Sequence, residues 1–242
     1  MLGAAARMTL SLFRFSKAHR VREIRARAIP SGACYWSLRA ENLTIEGTVS
    51  DEASAFCVVG LFAEASDAIR TFEVRENLVP DAPDVVDVLH LLLIPTVHRG
   101  SLNWLDGANP GTAFRVETRE GITGSILSMT TAGYDPGVVP SATRLQRFIT
   151  NTVSVGAEMG CSNGLLFRRL FGPDEALGDA ITISVWKSAE SLASFAYGAG
   201  PHRERMVAHG GSPFFDRASF SRFMIDRAGG SWDGVNAYDL TD

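Results

Sequence analysis

Cysteine is scarce in this chain. Its three copies, Cys34, Cys57 and Cys161, are widely spaced and form no CxxC pair. That excludes a disulfide framework and a cysteine-based zinc site, and it makes a reducing, cytoplasmic compartment the default. Long apolar runs are missing as well. The longest, Leu89–Ile94, is interrupted by His90 and falls far short of the roughly 20 residues that a membrane-spanning helix needs. Met1–Arg7 has no charged segment ahead of an apolar block, so it reads as a loose leader before Met8 rather than a secretory signal. Charge of one sign is not in excess: 23 Lys and Arg face 27 Asp and Glu, a net charge of -4. The basic residues are scattered, as in RVREIRAR and HRER, which fits solvated helix faces and excludes a nucleic-acid partner. No GxSxG, P-loop, HExxH or GxGxxG occurs, so hydrolase, nucleotide and flavin or NAD readings have no motif behind them.

What is present is a globular composition. Over 242 residues, 45% are hydrophobic and 21% charged, and a chain of this size buries on the order of 70% of its unfolded surface. Met8–Phe15 has strand composition. His19–Ile29 carries a helical pattern through Val21, Ile24 and Ala28 that ends at Pro30 and Gly32. Cys34–Leu43 alternates as a strand, Gly47–Ser54 reads as loop, and Ala55–Phe62 is a third strand. An alanine-rich helix over Glu64–Glu76 and a long strand over Val85–Val97 follow. Strand, helix, strand, strand, helix, strand is the ferredoxin-like order.

The second half repeats it: strand Ile122–Thr130, helix Ser141–Met159, strands Leu165–Phe171 and Ile181–Lys187, helices, and a last strand Phe220–Arg227. VVGLFAEASDAIRTF from Val58 resembles TISVWKSAESLASF from Thr182. Each half also closes on a Trp, Asp, Gly turn, at Trp104, Asp106 and Gly107 and at Trp232, Asp233 and Gly234. The expected fold class is therefore α+β, a tandem duplication of ferredoxin-like units, divided at 1–118 and 119–242. Such sheets bury helices outside and leave room for a ligand between the sheets or under the helices. Phe167, Phe171, Phe195, Phe214, Phe215, Phe220 and Phe223 all lie in the second half, and each reads first as core.

Chemistry is expected in Ala180–Gly210, which holds the only two histidines of the second half. Ile181, Ile183 and Val185 alternate with Thr182, Ser184 and Trp186, as in a strand. Ser188 is a candidate N-cap for a helix with Leu192, Phe195 and Ala196 on one stripe. Gly198 and Gly200 break that helix, and Pro201 starts another with His202, Met206 and His209 on one face. A helix N-terminus disfavours a cation, so His202 is expected to be neutral, with a lone pair to donate.

Three segments, TLSLFRF, ISVWKSAESLASFAYGAGPHRERM and FFDRASFSRFMIDRAGGSWDG, together resemble the spheroidene monooxygenase family. The resemblance implies a dimeric α+β barrel type fold, a haem cofactor and insertion of oxygen from O2 into an unreactive carbon. It also implies a hydrophobic small-molecule substrate, carotenoid-like or a secondary metabolite, and an external electron donor. A homodimer is compatible with it, and peripheral membrane contact would follow if the substrate is a carotenoid. The family's histidine in the segment matching GAGPHRE maps the iron ligand onto His202, with His209 as runner-up. Arg203 and Arg205 are candidates for haem propionates, Met206 and Phe195 for the cofactor wall, and Arg168 and Arg222 for catalytic groups facing substrate or O2. Haem-dependent dehydration or peroxide chemistry on the same fold, and a non-enzymatic haem or hydrophobic-ligand carrier, are the alternatives. His90 and His98, eight residues apart in one strand, are expected on the same face as structural residues.

Overall fold

The computed structural model describes residues 5–24, 31–41, 50–78, 84–100, 114–118, 124–135, 137–172, 179–198 and 200–241. In chain order the elements are β1 (Arg7–Arg20), β2 (Ala33–Ala40), β3 (Glu52–Phe62), α1 (Ala65–Glu73), β4 (Val85–Gly100), β5 (Ile126–Gly133), α2 (Ala142–Gly160), β6 (Leu165–Phe171), β7 (Asp179–Trp186), α3 (Ala189–Tyr197), α4 (Pro201–Gly211), β8 (Arg217–Trp232) and β9 (Val235–Asn236). Period-2 alternation in these segments makes them strands, and one antiparallel sheet in the order β2-β3-β1-β4-β8-β5-β7-β6 pairs them, with β9 on β8. β1 to β4 take the ferredoxin-like order, β5 to β8 take it again, and the two fourth strands pair with each other. The tandem α+β expectation holds.

Alternate residues of all eight long strands meet in one core. Met8, Leu10, Leu12, Cys57, Val59, Leu89, Leu91, Leu127, Phe167, Ile181, Ile183 and Phe223 belong to it, with Tyr35 of β2 against it. The sheet is thus wrapped around its inner face as a barrel. Its two end strands meet where the Gly172 N–H donates to Ala40 O at 2.9 Å. Beside that link Arg39, 1% exposed, donates from Nη1 to Asp179 O at 2.9 Å. The outer face carries the helices. α1 seats Ala68 and Phe72 on Phe62 and Leu92. Among the described residues no helix is long and apolar enough to cross a membrane.

Several boundaries differ from expectation. The helix over His19–Ile29 is not formed in its described part: β1 runs on to Arg20, and Val21–Glu23 is a single 3-10 turn. His19 and Arg20 pair with Ala53 and Glu52, and His19 Nε2 meets Asp84 Oδ2 at 2.7 Å. The sheet ladder thereby overrides the local helical pattern. For the same reason β3 begins at Glu52, inside the stretch expected as loop. His90 and His98 lie on opposite faces. β4 bulges between Pro95 and Val97, and one extra residue inverts the alternation. His90 therefore meets Ser11 on the outer side, while His98 packs on Phe114 inside. The Trp232 turn is a two-residue hairpin with φ of 48° at Asp233 and 78° at Gly234, the type I′ geometry that an Asp-Gly pair favours. Asp233 has a second task, binding Arg14 at 2.8 Å and Arg169, the two guanidiniums that flank Trp232. Trp104, Asp106 and Gly107 lie outside the described residues.

Replacing Arg39 by leucine removes the cross-barrel donors and leaves buried acceptors unmatched. A loss of about 3 kcal/mol is expected in urea unfolding; a loss below about 1 kcal/mol would mean that Arg39 does not hold the end strands together.

Candidate functional site

α2, α3 and α4 cover the outer face of β8-β5-β7-β6. Their starts follow from local chemistry. Ser141 and Ser188 accept from the N–H groups of Arg144 and Ser191 as N-caps, each contributing about 1 kcal/mol. Gly200 and Pro201 begin α4. Below them the strands present two rows of paired residues. One row is Val97, Arg222, Ser128, Ser184 and Arg168; the next is Arg99, Phe220, Thr130, Thr182 and Leu170. At the centre of this floor stand four short hydroxyl side chains instead of branched aliphatics, and helix side chains do not fill the space above them. The result is a cavity of about 800 Å³ roofed by Val155, Met159, Leu192, Phe195 and Met206. A second cavity of about 480 Å³ adjoins it under α2 and Phe214, Phe215. His202, Met206, Thr130, Thr182 and Phe220 line both. The ligand space is thus under the helices, not between the sheets. The phenylalanines divide accordingly: Phe167, Phe171 and Phe223 fill the barrel core, while Phe195, Phe214, Phe215 and Phe220 line the cavities.

His202 sits in the first turn of α4 with its Nδ1 3.2 Å from Ala196 O. A carbonyl only accepts, so Nδ1 carries the proton and Nε2 keeps its lone pair. Nε2 has no protein partner among the described residues. Burial pushes the His202 pKa below its ordinary value, opposed by the bond to Ala196 and by Glu158; burial rather than the helix end is the first cause of its neutrality. Phe195 lies against the imidazole at 4.9 Å and stacks on Trp186 at 5.2 Å, fixing the ring plane.

His209 is arranged the other way. Its Nδ1 accepts from the Phe214 N–H at 3.4 Å, which places its proton on Nε2. Its ring stacks on Phe215 at 3.8 Å, and it lines neither cavity. The arginines divide as well. Arg205 donates to Glu158 Oε2 at 3.1 Å and to Ser154, tying α4 to α2. Arg203 is exposed at the edge of the larger cavity. Arg222 donates to Tyr197 Oη at 3.1 Å within that cavity. Arg168 lines the smaller one, away from Arg222. Arg99, Arg203 and Arg222 line the larger cavity, and no carboxylate stands among the described residues there.

Sequence reasoning missed Tyr197, Val97 and Arg99, and it passed over the hydroxyl floor. The floor had a signal, since Thr182 and Ser184 share one face of a strand. Arg99 had none, because its side depends on the bulge at Thr96. A metal at His202 would need to bring its own ligands: among the described residues no group of three or more His, Cys, Asp and Glu could hold one.

No protein-family model matches the chain, and no curated protein matches it. Solved structures do. An aldoxime dehydratase superposes with a TM-score of 0.54 at 11% identity, over 90% of this chain and 81% of that one. An aldoxime dehydratase crystallised with butyraldoxime gives 0.54 at 10% identity, over 92% and 82%. At such identities the likeness is one of fold. The fold is the α+β barrel of the dimeric barrel proteins.

His98, His202 and His209 all have pKa values lowered mainly by burial from the ordinary 6.5. The folded state then binds fewer protons than the unfolded one once pH drops below that value, so stability falls on acidification. Urea midpoints are expected to decline between pH 7.5 and pH 5.5, less steeply in His202→Gln. Equal slopes for the two proteins would remove His202 from the acid response.

Proposed function

We propose that this chain is a haem-dependent enzyme, a monooxygenase acting on a hydrophobic small molecule, with His202 as the single protein ligand to iron. The observation that carries this reading is the tautomer of His202: Nδ1–H is spent on Ala196 O, and Nε2 is open in a ring that lines a cavity of about 800 Å³. An axial histidine needs that second-shell acceptor, and cavities of roughly 300–1,000 Å³ are the ordinary size for cofactors and ligands. The charge fits as well. Three arginines and no carboxylate among the described lining residues suit a flat apolar molecule with anionic edge groups.

Haem supplies the oxidising chemistry, with O2 and an external electron donor as co-reactants. The protein's residues supply the rest. Ala196 O and Phe195 hold the imidazole in one orientation. Met206, Val155, Met159 and Leu192 keep water from the roof. Arg203 and Arg99 offer bidentate donors to carboxylates at the edge. Arg222, placed between Tyr197 and Ser128, is the polar group by which an oxygen of the substrate is oriented. Arg205 does not serve the cofactor directly; its bonds to Glu158 and Ser154 set α4 on α2 and so set the height of His202 over the floor. Residues 1–118 act as scaffold and cavity wall, contributing Val97 and Arg99, and residues 119–242 carry the site. The three segments resembling the spheroidene monooxygenases support oxygen insertion. A homodimer with no nucleic-acid partner is the assembly proposed, with peripheral membrane contact if the substrate is a carotenoid.

A second reading is favoured by the hydroxyl floor. Ser128, Thr130, Thr182 and Ser184 can hydrogen-bond an N–OH group, and a dehydratase converting an aldoxime to a nitrile and water would use the same His202. Dehydration is redox-neutral, so turnover of butyraldoxime without O2 would select it, and dependence on O2 with a reductant would select oxygen insertion.

Purified chain given haemin is expected to develop a Soret band. His202→Ala should shift or abolish it, and His209→Ala should keep it. An unchanged band in His202→Ala would overturn the assignment. Replacing Arg99, Arg203 and Arg222 together by glutamine should weaken haemin binding about tenfold at low salt and flatten its salt dependence; unchanged affinity would show that these arginines do not meet the cofactor.

A further inference from the structure

The smaller cavity has a polar end that the cofactor site does not use. Arg168 rises from β6 on the helix side and lies along α2, where a Cβ built on Gly156 would stand 3.0 Å from its Nη1 and one on Gly160 3.6 Å from its Nη2. Glycine is unfavourable in a helix interior; here Gly156 makes the notch in which the guanidinium rests, while a Cβ at Gly160 would stand at ordinary contact distance. Its neighbour Arg169 is engaged by Asp233 and lies 3.9 Å from Glu41. Arg168, by contrast, has no hydrogen-bond acceptor and no ion pair within 4 Å among the described residues, although it is partly buried; the Glu41 carboxylate that lines the same chamber attracts it at longer range. A partly buried guanidinium without an acceptor is costly unless an anion arrives. Phe148, Ile149, Phe214 and Phe215 wall the chamber beside the guanidinium, and Glu41, Asn151 and Thr152 are among its polar lining.

We propose that this second chamber binds a small apolar carboxylic acid: the carboxylate sits in bidentate contact with Arg168, and the hydrocarbon lies under α2 toward the wall shared with the larger cavity. The chamber then holds an amphipathic molecule with its apolar end directed at His202 and Met206, two of the residues common to both cavities. Arg168 is the specificity determinant, since it separates an acid from its neutral analogue. The proposal does not depend on haem being the cofactor, because the anchor and the wall belong to the chain alone. A carboxylate could also come from the cofactor itself, and the test separates the two sources.

The test is calorimetric titration of the full chain, with and without haemin, using octanoate and 1-octanol. Octanoate is expected to bind at least tenfold more tightly than 1-octanol, with or without haemin. Arg168→Gln should remove that preference. Gly156→Ala should weaken it by pushing the guanidinium from its notch, while Gly160→Ala and Arg222→Gln keep it; circular dichroism checks that all variants are folded. Equal binding of acid and alcohol, no octanoate binding, or an intact preference in Arg168→Gln would overturn the site. Loss of octanoate binding only when haemin is present would assign the Arg168 contact to the cofactor's carboxylate and overturn the free-acid proposal. A missing Soret band with octanoate binding intact would remove the haem reading and leave this one standing.

Discussion

The pairing of β4 with β8 is the contact on which the structure depends. Each ferredoxin-like half ends on its fourth strand, and an unpaired fourth strand is an open edge. Joining the two edges removes both and turns two half-covered sheets into one barrel wall. The ladder needs close approach at both ends. At Gly100, φ is +85° and a Cβ would stand 2.2 Å from Ala218 O; at Gly230, φ is +88° and a Cβ would stand 2.1 Å from Val88 O. Any other residue there carries both a strained backbone and a collision with the opposite strand. Glycine at these two places is therefore a condition of the junction.

The same ladder shapes the ligand space. Without the extra residue at Thr96, Val97 and Arg99 would face the barrel core, where an unpaired arginine is untenable. The bulge turns them to the helix side and makes the first half part of the cavity wall. What lies over the floor differs between the halves. In the first half Gly60 is topped by the Phe62 ring, 2.9 Å from a Cβ built there, and α1 packs directly on Phe62 and Leu92. In the second half Ser184 occupies the matching place and Trp186 Nε1 donates to its Oγ at 2.9 Å. The aromatic leans on the same strand position in both. In the second half, however, the row continues through Ser128, Thr130 and Thr182, whose side chains are too short to meet α2, α3 and α4. An enclosed space follows from that mismatch in length.

The duplication was legible because strands announce themselves by period 2 and because the segments at Val58 and Thr182 occupy equivalent places, the third strand and following helix of each half. Ser188 as cap and Pro201 as first helical residue were legible for the same reason: their chemistry is local. The described start of the expected helix, His19–Ile24, differs because Val21 and Ile24 have helical spacing, while the partners that hold His19 and Arg20 in a strand are Ala53, Glu52 and Asp84, far away in sequence. His90 and His98 were misassigned because parity along a strand survives only until a bulge, and a bulge is set by the opposing strand. The contrast between His202 and His209 was equally hidden. Both are helical histidines near glycine, and only Ala196 O on one side and the Phe214 N–H on the other determine which nitrogen holds the proton.

Net charge illustrates the limit in another way. A chain with net charge -4 gives no hint of an anionic ligand, yet its larger cavity collects Arg99, Arg203 and Arg222 from three separate elements. Screening confines the influence of exposed charges to about 10 Å at 0.1 M salt, so a bound molecule responds to the arginines beside it more than to carboxylates across the surface. Two acidic residues that approach arginines in this region, Glu158 for Arg205 and Asp233 for Arg169, are taken up in joining helix to helix and strand to turn, while Glu41 stands 3.9 Å from Arg169 in the smaller cavity. Segregation of this kind arises only when the chain folds: the cations left over from structural pairs face the two cavities.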